Sequence, residues 1–263
     1  MAGFFRKFLT PPPWLFFSGT AIAGVVLVAG LQEISQKSDS NKKFILNSGP
    51  ASVSDRLEAY RKLLASGKSL DLNLGDFESH SWVHKQRRRL YSLAKGRVLE
   101  VGIGGGRGMS YILKNPRMTE YTGIDIVPES IGICRELVKT ADFPVYLEIA
   151  DFTEIPYPDD YFDTSIGSFC ACSAEDPVRY FRELGRVSKG HVLLLEHGLS
   201  SWNWMRWLGK VTGMFPNEAS GYYFGCEQDR DIDELLKESG LRIVKVQKSL
   251  FGHVSLIVAT RLR

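Results

Sequence analysis

The sequence predicts an α/β domain. Seven strands form a mostly parallel sheet that closes with an antiparallel C-terminal hairpin, and one N-terminal helix is apolar enough to cross a membrane. Three observations predict this. Strand-like and helix-like runs alternate from residue 97 onward, the pattern of a parallel sheet crossed by helices. The apolar run at 98–101 leads directly into a turn with glycine at 102, 104, 105, 106 and 108. A second run, 121–125, ends in an acid, Asp125.

Composition sets bounds on the reading. Of 263 residues, 44% are hydrophobic and 24% charged, as in an ordinary globular core. A net charge of +3 is too small to argue for a nucleic-acid partner. The densest basic run, Lys85-Gln-Arg-Arg-Arg89, reads as a solvated helix face. Cys134, Cys170, Cys172 and Cys226 do not make a disulfide framework at this length. Cys170-Ala-Cys172 has neither a second pair nor a histidine cluster beside it, so no metal is expected.

Taken in order, residues 1–13 are a basic, acid-free tail, and no charge occurs between Lys7 and Glu33. As a helix, 14–31 would reach about 27 Å, close to a bilayer's hydrocarbon thickness. Residues 14–32 are therefore read as a transmembrane helix with Trp14 and Phe16 at one interface. The alternative is a cleaved signal peptide, which the three prolines at 11–13 disfavour. Residues 33–50 are polar and read as a linker, and 51–263 form the folded domain. The basic start suits mitochondrial import, hence a single-pass inner-membrane protein; an endoplasmic reticulum anchor is the competitor.

Within the domain, 56–64 is expected to be a helix with Leu57, Tyr60 and Leu64 on one face, and 77–94 a second helix on which His84 is a surface residue. Pro128 opens a helix to about 140, and 145–149 is a third strand followed by Asp151 and Phe152. A proline turn at 155–158 precedes a fourth strand, 163–169. Asp176 caps a helix that Gly190 should end, and 191–197 is strand five. Asp231 starts another helix, stopped at Gly240; strands at 241–246 and 254–260 close the chain around Phe251-Gly252.

Glycine turn, helix N-terminus and strand-end acid together make a nucleotide-type cofactor site. The dehydrogenase fingerprint G-x-G-x-x-G fails in every register, because Arg107 and Met109 stand where its last glycine belongs. The pattern present is Glu100-x-Gly102-x-Gly104-x-Gly106, which resembles motif I of the class I S-adenosylmethionine (SAM)-dependent methyltransferases. The segment Ile155-Pro-Tyr-Pro-Asp-Asp-Tyr-Phe-Asp163 resembles the type-11 methyltransferase domain. Leu195-Glu-His-Gly198, Ser201-Trp-Asn-Trp204, Gly225-Cys226 and Arg230-Asp-Ile232 are similar to a membrane-anchored subgroup that includes the alkyl thiol methyltransferases. Ile103 and Gly105 depart from that subgroup's Cys and Thr.

The resemblance implies a Rossmann-like sheet and a SAM site. Gly102, Gly104 and Gly106 would hug the amino-acid end, and Glu100 is counted with them as a cofactor-binding residue. Asp125 would accept the ribose hydroxyls. Asp151 would meet the adenine amino group with Phe152 flanking the ring, and Ile126 and Phe169 are further cofactor-binding residues. His197 is the candidate base, since a neutral imidazole takes a proton near pH 7. Trp202 and Trp204, in a segment with Trp207 on one helical face, would meet a small apolar acceptor, such as a thiol or quinone-like ring, as an interfacial lid. A protein side chain is a further acceptor class. The alternative function is a methyltransferase-fold assembly or structural subunit of a mitochondrial membrane complex that has lost catalysis.

Overall fold

The computed structural model describes residues 57–58, 60–62, 82–212, 227 and 229–262. The expected tail, membrane span and linker lie outside the described residues, as do 225–226. Among the described residues no helix is long and apolar enough to cross a membrane.

Seven strands form one sheet in the order β3-β2-β1-β4-β5-β7-β6. They are β1 (Gly96–Val101), β2 (Met118–Asp125), β3 (Val145–Ile149), β4 (Phe162–Ser168), β5 (Ser188–His197), β6 (Leu241–Ser249) and β7 (Val254–Arg261). The first five run parallel, and β7 pairs antiparallel with both β5 and β6. The closing hairpin therefore folds back so that its second strand, not its first, meets β5. The helices are α1 (Trp82–Leu93), α2 (Met109–Ile112), α3 (Pro128–Leu137), α4 (Pro177–Val187), α5 (Asn203–Thr212) and α6 (Ile232–Glu238).

Both faces of the sheet are covered, and the strand period of two divides β5 between them. Val192 and Leu194 join Phe162, Tyr180, Phe181 and Leu184 under α4. Leu193 and Leu195 join Leu90, Tyr91, Ile131 and Ile166 on the other face. Two of the expected caps are formed. Asp176 accepts from the Arg179 N–H at 2.8 Å, and Asp231 from the Glu234 N–H at 3.4 Å.

Three local expectations are corrected. Helix α4 ends at Val187, and Gly190 lies inside β5. Its role is close approach rather than helix termination: a Cβ there would stand 2.3 Å from the Asp163 carbonyl oxygen. The basic run is not wholly solvated, because Gln86 and Arg87 are buried. Arg87 falls on the same helical stripe as Leu90, Tyr91 and Ala94, which packs onto the sheet. His84 is half-buried rather than on the surface, with Nδ1 2.6 Å from the Tyr111 hydroxyl.

Two glycine substitutions should separate these packing situations. Gly190→Ala pushes against main chain that cannot yield and should cost about 1–3 kcal/mol. Gly132→Ala, within α3 and with nothing within 4 Å of its added methyl, should stabilise by up to about 1 kcal/mol. Urea unfolding of both variants checks the pair.

Candidate functional site

The carboxyl ends of β1, β2, β4 and β5 converge, as they do in open parallel sheets that bind ligands. At the end of β1 the chain turns with Gly102 at φ 61° and Gly104 at φ 52°, both left-handed. A Cβ on Gly102 would lie 2.6 Å from Cys170 Sγ, so the turn presses on the loop after β4. Gly106 adopts φ 79° against Leu137.

Asp125 locks this turn. Its Oδ2 accepts from the Gly104 N–H at 2.8 Å, and its Oδ1 from the Val127 N–H at 2.8 Å. Burial raises its pKa, opposed by those two amide bonds. Glu100 lies under the turn, fully buried. Its Oε1 accepts from the Tyr91 hydroxyl at 2.5 Å and its Oε2 from Tyr121 at 2.7 Å. Burial raises this carboxyl too, and the tyrosine bonds pull it down.

The other expected cofactor neighbours flank the turn, Ile126, Asp151 and Phe152 past β2 and β3 and Phe169 past β4. Ile126 is exposed at the end of β2. Asp151 is exposed, and its Oδ1 accepts from the Thr153 N–H at 2.7 Å and hydroxyl at 2.8 Å. Phe152 packs edge-on against Tyr180, with 5.0 Å between ring centroids. Phe169 holds φ 58°, a region that bulky residues avoid. Its ring lies 5.3 Å from that of His197, and the Arg87 guanidinium sits over it at 5.3 Å. Arg87 also donates to Ser168 Oγ at 3.2 Å.

Next to it, Glu196 is entirely buried at the end of β5. It accepts from the amides of Cys170 at 3.3 Å and Ala171 at 3.2 Å, and from the Tyr180 hydroxyl at 3.1 Å. Burial pushes its pKa up to about 7 despite the nearby His197 charge and these donors. Burial alone would lower His197, but a hydrogen bond with Cys172 and the charges of Cys172 and Glu196 outweigh it, and its pKa is raised. Cys134, Cys170 and Cys172 are buried free thiols.

Sequence reasoning missed three contributors. Tyr60, expected only to share a helical face with Leu57 and Leu64, sits over the turn: its hydroxyl is 3.1 Å from where a Gly104 Cβ would stand. Burial, helped by the Asp125 charge, pushes its pKa to about 12. Arg61 clips this helical segment to α3 through Glu129, with Nη2 to Oε1 at 3.1 Å. Arg87 was hidden in a charge run, although its place on the Leu90–Tyr91–Ala94 stripe was a usable signal. Glu196 entered the sequence reading only within the Leu195–Gly198 motif, without a role; a lone acid in an apolar strand was its signal. Trp202 and Trp204 gather with Phe251, 5.8 Å apart and each facing the hairpin.

A left-handed glycine turn, an acid at the next strand end and a strand order that closes with an inserted antiparallel strand define a class. Residues 99–195 match the family model described as "Methyltransferase domain". Residues 99–195 thus form a methyltransferase domain of the class I SAM-dependent kind, and S-adenosylmethionine is the cofactor this domain implies. Among relatives, it is 28% identical to the mitochondrial methyltransferase OMS1 of Saccharomyces cerevisiae over 67% of this chain and 41% of that protein. It is 29% identical to the phosphatidylethanolamine N-methyltransferase of Cereibacter sphaeroides over 57% of this chain and 72% of the other. The chain thus spans well under two thirds of the yeast protein's length. A putative methyltransferase solved with the Haloferax volcanii Trm112 activator has the same fold, with TM-score 0.58 and 15% identity over 78% of this chain and 98% of that one.

The residues present fit this cofactor. The cradle at 102–106 is glycine apart from Ile103, whose side chain is buried in the core, Asp125 stands at its rim, and Ile126, Phe152 and Phe169 offer apolar flanks. Asp125→Ala should weaken SAM binding by roughly 10–100-fold, the loss of one or two hydrogen bonds to a charged group. Isothermal calorimetry reads this directly.

Glu196 makes a second prediction. Its folded pKa lies above the ordinary 4.5, so the stability it contributes is complete below that pH and is lost as pH rises through about 7. Glu196→Gln sets an amide N–H against the Ala171 N–H and should cost about 1–3 kcal/mol at pH 4.5. The deficit should shrink by pH 8 in denaturant titrations.

Proposed function

We propose that the chain methylates a small apolar acceptor, a thiol or quinone-like ring, as a single-pass protein of the mitochondrial inner membrane. The observation that carries the reading is that the glycine turn, Asp125 and His197 stand at the carboxyl ends of β1, β2 and β5, on one edge of the sheet. Support for the location comes from the uncharged run at 14–31 and from similarity to a mitochondrial yeast methyltransferase. An apolar acceptor agrees with the aromatic surroundings of His197 and with Trp202 and Trp204 nearby.

S-adenosylmethionine supplies a methyl group already activated on a sulfonium, so the protein's task is alignment and exclusion of water. Asp125 orients the adenosine end, and Tyr60 covers the turn. His197, backed by Glu196, takes the proton that a thiol or hydroxyl acceptor must lose. The neutral imidazole is the working form. Because its pKa is raised, transfer should climb with pH from below 6.5 until that raised value is passed.

Purified full-length protein should bind SAM and methylate a small alkyl thiol. His197→Gln should retain SAM affinity while losing about 100-fold or more in kcat/KM, together with the rising limb of the pH profile. An unchanged profile would remove His197 from the chemistry. SAM binding with no transfer to thiol, quinone-like or protein acceptors would favour a non-catalytic assembly role.

A further inference from the structure

Beside the crevice the molecule shows water a rigid apolar cluster. Trp202, Trp204 and Trp207 are 47%, 54% and 64% exposed, and Leu250 and Phe251 54% each. Phe251 stands 5.4 Å from Trp202 and 6.4 Å from Trp204, ring centroid to centroid. Contiguous exposed apolar surface of this kind marks an interaction site.

The hairpin is built to present it. Leu250 and Phe251 hold φ 48° and 55°, consecutive left-handed residues with large side chains. Core packing does not explain this strain, since both side chains point outward. Ser200 Oγ donates to the Phe251 carbonyl, and a Cβ on Gly252 would lie 2.1 Å from Ser201 Oγ. The tip is thus pinned to the segment that leaves β5. Gly198, the residue after His197, donates to the His253 carbonyl at 2.9 Å. The patch therefore abuts the strand end that carries the candidate base.

Its charge pattern selects an occupant. Arg206, the cation among the indoles, turns inward to Asp231 at 3.0 Å and to the Ser200 carbonyl. Exposed cations lie to one side instead: Lys85, Arg88 and Arg89 on α1, with Arg89 bonded to Gln247, three residues before Leu250. Indoles and a phenyl flanked by lysine and arginine suit the headgroup layer of an anionic bilayer. The same chain carries an uncharged run of membrane-span length at 14–31, which would keep a bilayer within reach.

The geometry points to a second membrane contact: Trp202, Trp204, Trp207, Leu250 and Phe251 enter the headgroup region and turn the crevice mouth toward the lipid. The inference rests on the membrane-anchored reading above and sharpens it. The acceptor is then a molecule dissolved in the bilayer, delivered sideways rather than from water.

Spin labelling of the full-length chain tests this. Phe251→Cys and Leu250→Cys, each with Cys226→Ser, are labelled with a nitroxide; Cys134, Cys170 and Cys172 are buried. Glu136→Cys, 70% exposed in the last turn of α3, which packs against β2 and β3 at the other side of the sheet from the β6–β7 hairpin, is the reference. The proteins are reconstituted in phosphatidylcholine–phosphatidylserine vesicles, and collision with oxygen is compared with collision with a water-soluble nickel chelate. The labels at 250 and 251 should favour oxygen several-fold more than the label at 136. Equal ratios at all three positions overturn the inference. So does dipolar broadening between labels at 251, which would give the face to a second copy of the chain. SAM titration of the same samples keeps the two readings apart. Intact SAM binding with equal ratios sinks the membrane contact alone, and lipid exposure without SAM binding sinks the enzyme reading alone.

Discussion

One carboxylate ties the functional end of this sheet together. Asp125 closes β2, yet its two oxygens are held by amides of other segments, Gly104 in the turn after β1 and Val127 at the start of α3. Its own carbonyl accepts from Ala150, just past β3. Three strand ends and a helix start are thus set relative to one residue, two of them through its side chain. A left-handed turn that is glycine apart from Ile103 has little side-chain packing of its own, so its shape depends on such bonds.

Two further acids repeat the device at a deeper level. Glu100 under the β1 turn and Glu196 under the β4 loop are both fully buried, and both accept from tyrosine hydroxyls. Burial raises the pKa of each. Burying a carboxyl is costly unless its lone pairs are met, and here each oxygen has a donor. The gain is positional. Glu100 braces the turn that faces the cofactor, and Glu196 holds the Cys170–Ala171 main chain beside His197 and Phe169. Phe169, the residue just before this main chain, has left-handed backbone at φ 58°.

The crevice and the exposed aromatic cluster are parts of one construction. His197 ends β5, and the chain after it is fastened to the tip of the β6–β7 hairpin. Inserting β7 between β5 and β6 is what carries that tip to the ligand end of the sheet. In a simple meander β6 would lie beside β5 and run opposite to it, which would put the tip at the other end of the sheet. Chemistry and interaction surface therefore share a pole because of one topological choice.

Much of this was legible in the residues. The alternation of elements, the glycine turn after 98–101, the acid at 125, the caps at Asp176 and Asp231 and the closing hairpin are local patterns with local causes: backbone sterics, helix-end hydrogen bonds and side-chain periodicity. Gly190 misled, because a glycine after a helix signals a stop only when no other strand requires close approach. Three things lay beyond local reading. They are Tyr60 reaching over Gly104, Arg87 turning inward onto Phe169, and Leu250 and Phe251 meeting Trp202 and Trp204. Each joins residues far apart in the chain, and no propensity or spacing encodes which distant partner a side chain will find. The sequence by itself determined the elements, the class of cofactor and the strand-end acids. Only the tertiary structure decided what covers, braces and borders the site, because those contacts exist only once the sheet order has brought separate segments to one end.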